Sequence, residues 1–133
     1  MSDVNFIIVK PEVSHTEFIR LLVEQFPTIA EDVLDEFYED LPHLQVSFLA
    51  KYANECLVAD RFAEFSRTVS FFQQMVDKVD SLTENALYVS FLEYLEIGGN
   101  SEKCRAARGL LTPEQLETWV ALQKFWGIVP IVD

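Results

Sequence analysis

Apolar residues recur every three or four positions along most of the chain, which is the spacing of one face of an α-helix. The clearest example is residues 60–80, where Phe62, Phe65, Val69 and Phe72 begin an unbroken series. Residues 81–97 differ, because their apolar side chains point in nearly every direction around a helix. A helix that is apolar all round is buried on several sides, so we expect residues 81–97 to form the buried central helix of an all-α protein.

Local signals mark where the other helices begin and end. Capping boxes, in which Ser or Thr is followed three residues later by Glu or Gln, occur at Ser14, Thr28, Ser81 and Thr112. Pro27, Pro42 and Gly98 are expected to end helices. Together with the apolar spacing, these signals predict about six or seven helices, over residues 14–26, 29–41, 44–59, 60–80, 81–97, 101–109 and 112–126.

The sequence leaves one helix boundary and the structure of two terminal segments open. Asp60 is the expected cap of the helix over residues 60–80, but nothing beside it forces a turn, so residues 44–59 and 60–80 could form one helix or two. Residues 4–9 and 128–132 are short apolar runs that periodicity cannot assign to strands or to extended arms packed on the surface.

Composition points to one domain spanning residues 1–133, with a large aromatic core. Half of the residues are apolar and eleven are Phe, whereas Gly and Pro are few, which excludes disorder. The first residues lack the pattern of a signal peptide, no apolar run is long enough to cross a bilayer, and the two cysteines form no CxxC pair. We therefore expect a cytoplasmic protein with free, packed thiols at Cys56 and Cys104.

The net charge of −12 is concentrated in the first half of the chain. Residues 1–66 carry thirteen acids and four bases, whereas residues 67–133 carry nine acids and six bases. Repulsion from phosphates disfavours direct binding to nucleic acid or to an anionic membrane. A basic protein is the expected partner.

The predicted second helix, over residues 29–41, carries the strongest functional signal. Its apolar side chains, including Phe37, fall on one face and its carboxylates on the other, with no Lys or Arg among them. Four like-charge pairs at i,i+4 spacing would cost about 1–2 kcal/mol together, which is more than a merely soluble surface requires. We expect this face to bind the partner, with Tyr38 as an aromatic anchor. The alternative is an incidental solvated face, since net charge alone aids solubility. The predicted partner-binding residues are Glu31, Asp32, Asp35, Glu36, Tyr38, Glu39 and Asp40.

No catalytic, metal-binding or cofactor-binding constellation stands out. His15 and His43 each follow a carboxylate by three residues, but His15 lies at a helix start and Pro42 interrupts the second pair, so exposed loop histidines are the preferred interpretation over a metal site. Residues 98–108 combine glycines with Lys103, Arg105 and Arg108 but lack a phosphate-binding motif, which favours a solvated basic helix. Pairing of these cations with the acidic half of the chain is an alternative. We therefore expect a binding protein rather than an enzyme.

Asp80-Ser81-Leu82 resembles the attachment motif of acyl carrier proteins, which carry phosphopantetheine on the Ser of an Asp-Ser-Leu at a helix start. The resemblance implies an alternative function, a carrier modified at Ser81. The chain departs from the carrier pattern because Lys78 or Val79 stands where carriers have a Gly, and because an amphipathic helix precedes the motif where carriers have a flexible loop. A capping role also explains Ser81 without any chemistry.

Three longer stretches suggest a different family. The segments DRFAEFSRTVSFFQQMVDKVDS, ENALYVSFLEYLE and ARGLLTPEQLETW resemble small bacterial all-helical proteins that occur among toxin-immunity genes, most clearly over residues 60–126. This resemblance implies a cytoplasmic immunity protein that neutralises a co-encoded toxin by binding it. The matching positions are packing positions, so the resemblance assigns no functional residues.

Overall fold

The computed structural model describes residues 11–125, and these are mainly helical, with no strand among them. This confirms the predicted all-α class and the number of helices. The apolar runs at residues 4–9 and 128–132 lie outside the described residues. The seven α-helices are α1 (His15–Gln25), α2 (Ala30–Val33), α3 (Pro42–Val58), α4 (Phe62–Met75), α5 (Ser81–Ala86), α6 (Glu102–Arg108) and α7 (Pro113–Phe125).

Side-chain caps begin several helices where the sequence predicts them. Ser14 Oγ accepts from the Glu17 amide at 3.1 Å and opens α1. Thr112 and Gln115 form a complete reciprocal box at α7, because each side chain accepts from the other residue's amide at 3.0–3.1 Å. These bonds satisfy amides that have no partner within the helix. Ser101 caps α6 in the same way, accepting from the Cys104 amide.

The boundary between α3 and α4 is a genuine turn, which separates the two helices. Asp60 has a φ of 62°, in the left-handed region that Asp tolerates better than most residues. The amides of Asp60 and Arg61 donate to the carbonyls of Leu57 and Cys56, which closes α3 with a Schellman motif. Asp60 therefore ends α3 and does not cap α4 as predicted. Its carboxylate instead accepts from Lys103 Nζ at 3.2 Å.

Residues 81–97 are buried as predicted, but they do not form one continuous α-helix. After α5 the chain forms a π turn at Leu87–Phe91 and a 3₁₀ turn at Leu92–Tyr94, and then becomes extended. The helix therefore ends before Gly98, which was the predicted stop. Leu87, Phe91 and Leu95 are almost completely covered, whereas Leu82 and Tyr94 remain more than half exposed.

The unwound end of this segment is held by side chains from three helices. Asn54 of α3 pairs with both the Tyr94 carbonyl and the Glu96 amide, at 2.8 and 2.9 Å. Trp119 and Gln123 of α7 donate to the carbonyls of Leu95 and Glu93. Arg108 of α6, which is buried, donates to the carbonyls of Ile97 and Gly99, both at 2.7 Å. Backbone groups that leave a helix must find partners when buried, and these side chains supply them.

The first helices pack on α3 and α4 through aromatic rings and one polar network. The Phe26 ring lies 5.6 Å from the Phe71 ring, edge to face. Tyr52 donates to Glu64 at 2.6 Å, and Glu64 also pairs with Arg67, whose guanidinium covers the Phe26 ring. Burial and the negative Glu64 partner raise the pKa of Tyr52 to about 12. The buried apolar side chains form one continuous cluster that includes these rings.

The prediction of one helix over residues 29–41 is wrong, because this segment is divided into short turns. A 3₁₀ turn at Pro27–Ile29 leads into α2, which ends after one turn, and a second 3₁₀ turn follows at Glu36–Tyr38. No side-chain cap from Thr28 forms. Asp35 Oδ1 accepts from the Phe37 amide at 2.9 Å, a local bond that competes with continued helix. Asp40 then has a φ of 61°, and Pro42 begins α3 instead of ending a helix.

We expect truncation of Leu87, Phe91 or Leu95 to Ala to lower the free energy of unfolding by about 2–5 kcal/mol, because each leaves a cavity in a covered site. Leu82→Ala is the matched control on the same segment; its side chain is 56% exposed, so its loss should be about 0.5 kcal/mol. Urea unfolding followed by circular dichroism measures both. Equal losses in the core and control variants would contradict the buried placement of this segment.

Candidate functional site

The acidic segment, residues 27–41, joins α1 to α3 and projects both charge and apolar surface. Tyr38 anchors it, because its ring packs edge to face on Phe48 of α3, with ring centroids 5.2 Å apart. The Phe37 ring packs against Tyr38 at 5.1 Å and is otherwise outside the core, 76% exposed. The sequence predicted the reverse, with Phe37 in the core and Tyr38 as the partner's anchor. Because α2 ends at Val33, Phe37 faces solvent and Tyr38 packs on α3, the opposite of the prediction.

The six carboxylates predicted to bind the partner are all exposed. The ion pairs found within residues 11–125 join other carboxylates, such as Glu17 with Arg20 and Asp60 with Lys103. Because the segment is not a continuous helix, the predicted i,i+4 repulsion along one face is not present in this form. The charge remains concentrated within residues 31–40, which also carry exposed apolar side chains. The carboxylates belong to Glu31, Asp32, Asp35, Glu36, Glu39 and Asp40.

Four exposed apolar side chains accompany this charge, and the exposure of Phe37 is the largest among them. Leu34 is 59% exposed, and Leu41 and Leu44 are each a little under half exposed. Leu34 and Leu41 were predicted to be core residues of a helix, and the break in that helix places them outside. We call the combined set the acidic–apolar surface: the six carboxylates together with Leu34, Phe37, Leu41 and Leu44.

Two concave regions border the acidic–apolar surface. A cleft of about 330 Å³ lies between α1 and the acidic segment, with Ile19 and Leu34 among its walls and Gln45 among its lining residues. A larger groove of about 660 Å³ runs along α3 and is bounded by Leu44, Val58 and Tyr94. The groove is mainly apolar, whereas four carboxylates line the cleft.

The two histidines do not share a site. His15 lies in the first turn of α1, where its Nδ1 is 3.4 Å from Thr83 Oγ1. His43 belongs to the first turn of α3, not to a loop as predicted, and its Nε2 is 3.1 Å from Asn85 Nδ2. Both are half-buried. In the part of the chain that the structure describes, no three His, Cys, Asp or Glu side chains converge where they could hold a metal ion.

The basic residues near α6 serve the fold. Arg108 is buried on the carbonyls of Ile97 and Gly99, so the prediction of a solvated basic helix is wrong at this position. Arg105 donates to the Asn100 carbonyl, and Lys103 pairs with Asp60 of the turn after α3. These cations are therefore oriented toward the protein's own backbone and carboxylates rather than outward as an anion site.

The two cysteines occupy different environments, and both are free thiols. Cys56 is fully buried on α3, and burial raises the pKa of its thiol. It matches the predicted packed thiol. Cys104 is only half-buried, at the start of α6.

The start of α5 differs in one respect from its prediction. The cap is Asp80, not Ser81, because Asp80 Oδ1 accepts from the Thr83 amide at 2.7 Å. Ser81 occupies the first helical position with its side chain exposed. The Thr83 backbone hydrogen bond holds the pKa of the Asp80 carboxyl below its usual value.

Comparison with known families assigns most of this helical chain, including the acidic–apolar surface, to one family. The chain belongs to the family described as a domain of unknown function, DUF7674, whose model matches residues 19–127. The match includes the whole acidic segment and helices α2 to α7. No curated protein and no solved structure matches the chain. None of the helices within residues 11–125 is both long and apolar enough to cross a membrane.

We expect Asp80→Ala to lower the free energy of unfolding at pH 7 by about 0.5–2 kcal/mol, because it removes the cap of α5. Asp80→Asn keeps a capping oxygen and should lose less. The folded-state pKa of Asp80 is lowered, so its charge stabilises the fold at neutral pH, and that stabilisation is lost as the pH falls below its ordinary value of 3.8.

The difference in unfolding free energy between the parent and Asp80→Asn should therefore shrink between pH 7 and pH 3. Urea unfolding at both pH values measures it, with Asp77→Asn as a control at a nearby exposed carboxylate. A difference that stays constant over this range would show that the charge of Asp80 does not contribute.

Proposed function

We propose that this chain is a cytoplasmic immunity-type protein that binds and neutralises a basic protein toxin through the acidic–apolar surface. The observation that carries the proposal is the placement of Phe37, an aromatic ring that is 76% exposed on an anchored segment whose neighbouring residues are exposed carboxylates. The resemblance of residues 60–126 to proteins of toxin-immunity loci supports the choice of partner.

The surface has the two components that protein interfaces use. Aromatic side chains at the centre of an interface contribute most of the binding energy, while a polar rim excludes water and selects the partner. Phe37 supplies the aromatic centre, with Leu34 and Leu41 as neighbours in sequence. The carboxylates supply a rim whose sign attracts a basic surface and accelerates encounter.

The segment is also held in place before any partner binds. Tyr38 packs on Phe48, and the Asp35 carboxylate closes the turn by accepting from the Phe37 amide. A preorganised contact surface loses less conformational entropy on binding than a flexible one. No enzymatic role is proposed, because inhibition by occupation of the toxin's surface requires no chemistry from this chain.

We expect Phe37→Ala to weaken binding of the toxin encoded beside this gene by about thirtyfold or more, the range of an interface hot spot, mainly through faster dissociation. Its effect on folding should be within about 0.5 kcal/mol, since the ring is exposed. Phe125→Ala is the control, because Phe125 is an equally exposed ring on α7. Surface plasmon resonance with the purified toxin domain measures both rates. An unchanged dissociation rate for Phe37→Ala would remove the central observation from the proposal.

The charge of the surface is tested separately. Reversing Glu31, Glu36 and Glu39 to Lys should slow association and reduce its dependence on salt, while leaving the fold intact, because these three side chains are exposed. Asp35 is kept because its carboxylate closes the turn. The control reverses three other exposed carboxylates, Asp77, Glu114 and Glu117, which changes the net charge by the same amount. If both triple variants slow association equally, the total charge attracts the toxin and the acidic segment has no special role.

A second candidate, a carrier modified at Ser81, is favoured by one observation: the Ser81 side chain is exposed at the start of α5. Incubation with a phosphopantetheinyl transferase and coenzyme A, followed by intact-mass measurement, tests it. The immunity proposal expects no added mass, and Ser81→Ala is the control. A modification that is present in the parent and lost in the control would replace the immunity proposal with the carrier function.

A further inference from the structure

We propose that the cleft between α1 and the acidic segment is a binding site for one arginine side chain of the partner. This inference names the group that the acidic–apolar surface recognises, so it rests on the proposed function. The observation behind it is an unpartnered buried amide oxygen on Gln45, which lines the same cleft as four carboxylates.

Gln45 is 4% exposed, and only half of its side-chain amide is satisfied. Its Nε2 donates to the Val33 carbonyl at 3.2 Å, whereas its Oε1 has no hydrogen-bond partner. The orientation is determined by chemistry, because the Val33 carbonyl can only accept and so requires the NH₂ group. A buried acceptor without a donor is costly, and in native proteins it calls for an explanation. Gln45 is one of the lining residues of the cleft, so an inserted ligand that brings N–H groups is the donor that would satisfy this acceptor.

The rest of the cleft favours a cationic ligand with an apolar stem. Its lining includes the carboxylates of Asp35, Glu36, Glu39 and Asp40. Ile19 and Leu34 provide an apolar wall along which methylene groups could pack. The cleft volume of about 330 Å³ lies at the small end of the range for ligand pockets, which suits a single inserted side chain rather than a larger molecule.

The distribution of acceptors selects arginine over lysine or a metal ion. A guanidinium carries five N–H donors in a fixed plane, so it can bond to an amide oxygen and to carboxylates in different directions at once. An ammonium group is a compact point charge that needs no such spread. A metal ion requires several ligands around one point, and within residues 11–125 no three His, Cys, Asp or Glu side chains converge in that way.

The test uses N-acetyl-arginine amide as the probe and the full chain labelled with ¹⁵N. We expect saturable NMR shifts of the Gln45 side-chain amide and of the backbone amides around residues 33–45. N-acetyl-lysine amide should bind at least about fivefold more weakly, since it cannot make the bidentate contacts of arginine. Magnesium chloride at the same ionic strength should not reproduce the shifts.

Matched variants separate recognition in the cleft from general charge attraction. The double variant Glu36→Gln/Glu39→Gln removes two carboxylates of the cleft and should weaken arginine binding by about fivefold or more. The double variant Glu114→Gln/Glu117→Gln removes two exposed charges of α7 that lie outside both the cleft and the acidic–apolar surface, and it should leave binding within about twofold. Gln45→Met should also weaken arginine binding. If that variant does not fold, the two double variants test the cleft without it.

Equal weakening by the two double variants, equal affinity for the lysine probe, or saturation of the same shifts by magnesium would each overturn the arginine site. None of these results affects the proposed function, because the titration contains no toxin. Conversely, toxin binding that is insensitive to Phe37→Ala would remove the proposed function while leaving arginine binding to the cleft measurable by itself.

Discussion

The fold depends on how the backbone of residues 93–99 is satisfied after it leaves helical geometry. This stretch lies against the core, yet its carbonyls are no longer used by a regular helix. Asn54, Arg108, Trp119 and Gln123 provide the missing bonds from three different helices. An unpaired buried carbonyl costs about 1–3 kcal/mol, so several of them together would exceed much of a domain's net stability. The positions of α3, α6 and α7 are therefore coupled through one strip of backbone.

The helical class, most helix starts and the burial of the central segment could be predicted because they depend on local information. A capping box such as that of Thr112 and Gln115 requires only neighbouring residues. The burial of Leu87 and Phe91 follows from their apolar side chains, whether or not the backbone is a regular helix. The unwinding after Ala86 could not be predicted, since its cause lies in residues such as Trp119, far along the chain. The boundary at Asp60 could not be decided for another reason: the turn has Asp in the left-handed conformation, where Gly is the usual signal.

The candidate site was predicted in composition but not in shape. The carboxylates of residues 31–40 were found from charge alone, and they are exposed. A continuous helix over these residues places Phe37 inside and leaves Tyr38 at its edge, whereas the observed turns exchange them. The Asp35 side-chain bond and the left-handed conformation of Asp40 accompany the break in the helix, and the spacing of apolar residues indicates neither of them. The cleft with Gln45 at its lining is a tertiary feature, so no sequence pattern indicated it.

The bonds from α7 to residues 93 and 95 also constrain the order in which the chain can fold during synthesis. Helices α1, α3 and α4 can associate through Phe26, Tyr52 and Phe71 once about eighty residues have left the ribosome. The contacts among these three rings all lie within that length of chain. The central segment cannot reach its final bonding until Trp119 and Gln123 have emerged. A nascent chain therefore holds residues 93–99 in a partly bonded state for the time needed to add some twenty-five more residues. During that interval the carbonyls of residues 93 and 95 lack the indole and amide donors that α7 supplies in the finished protein.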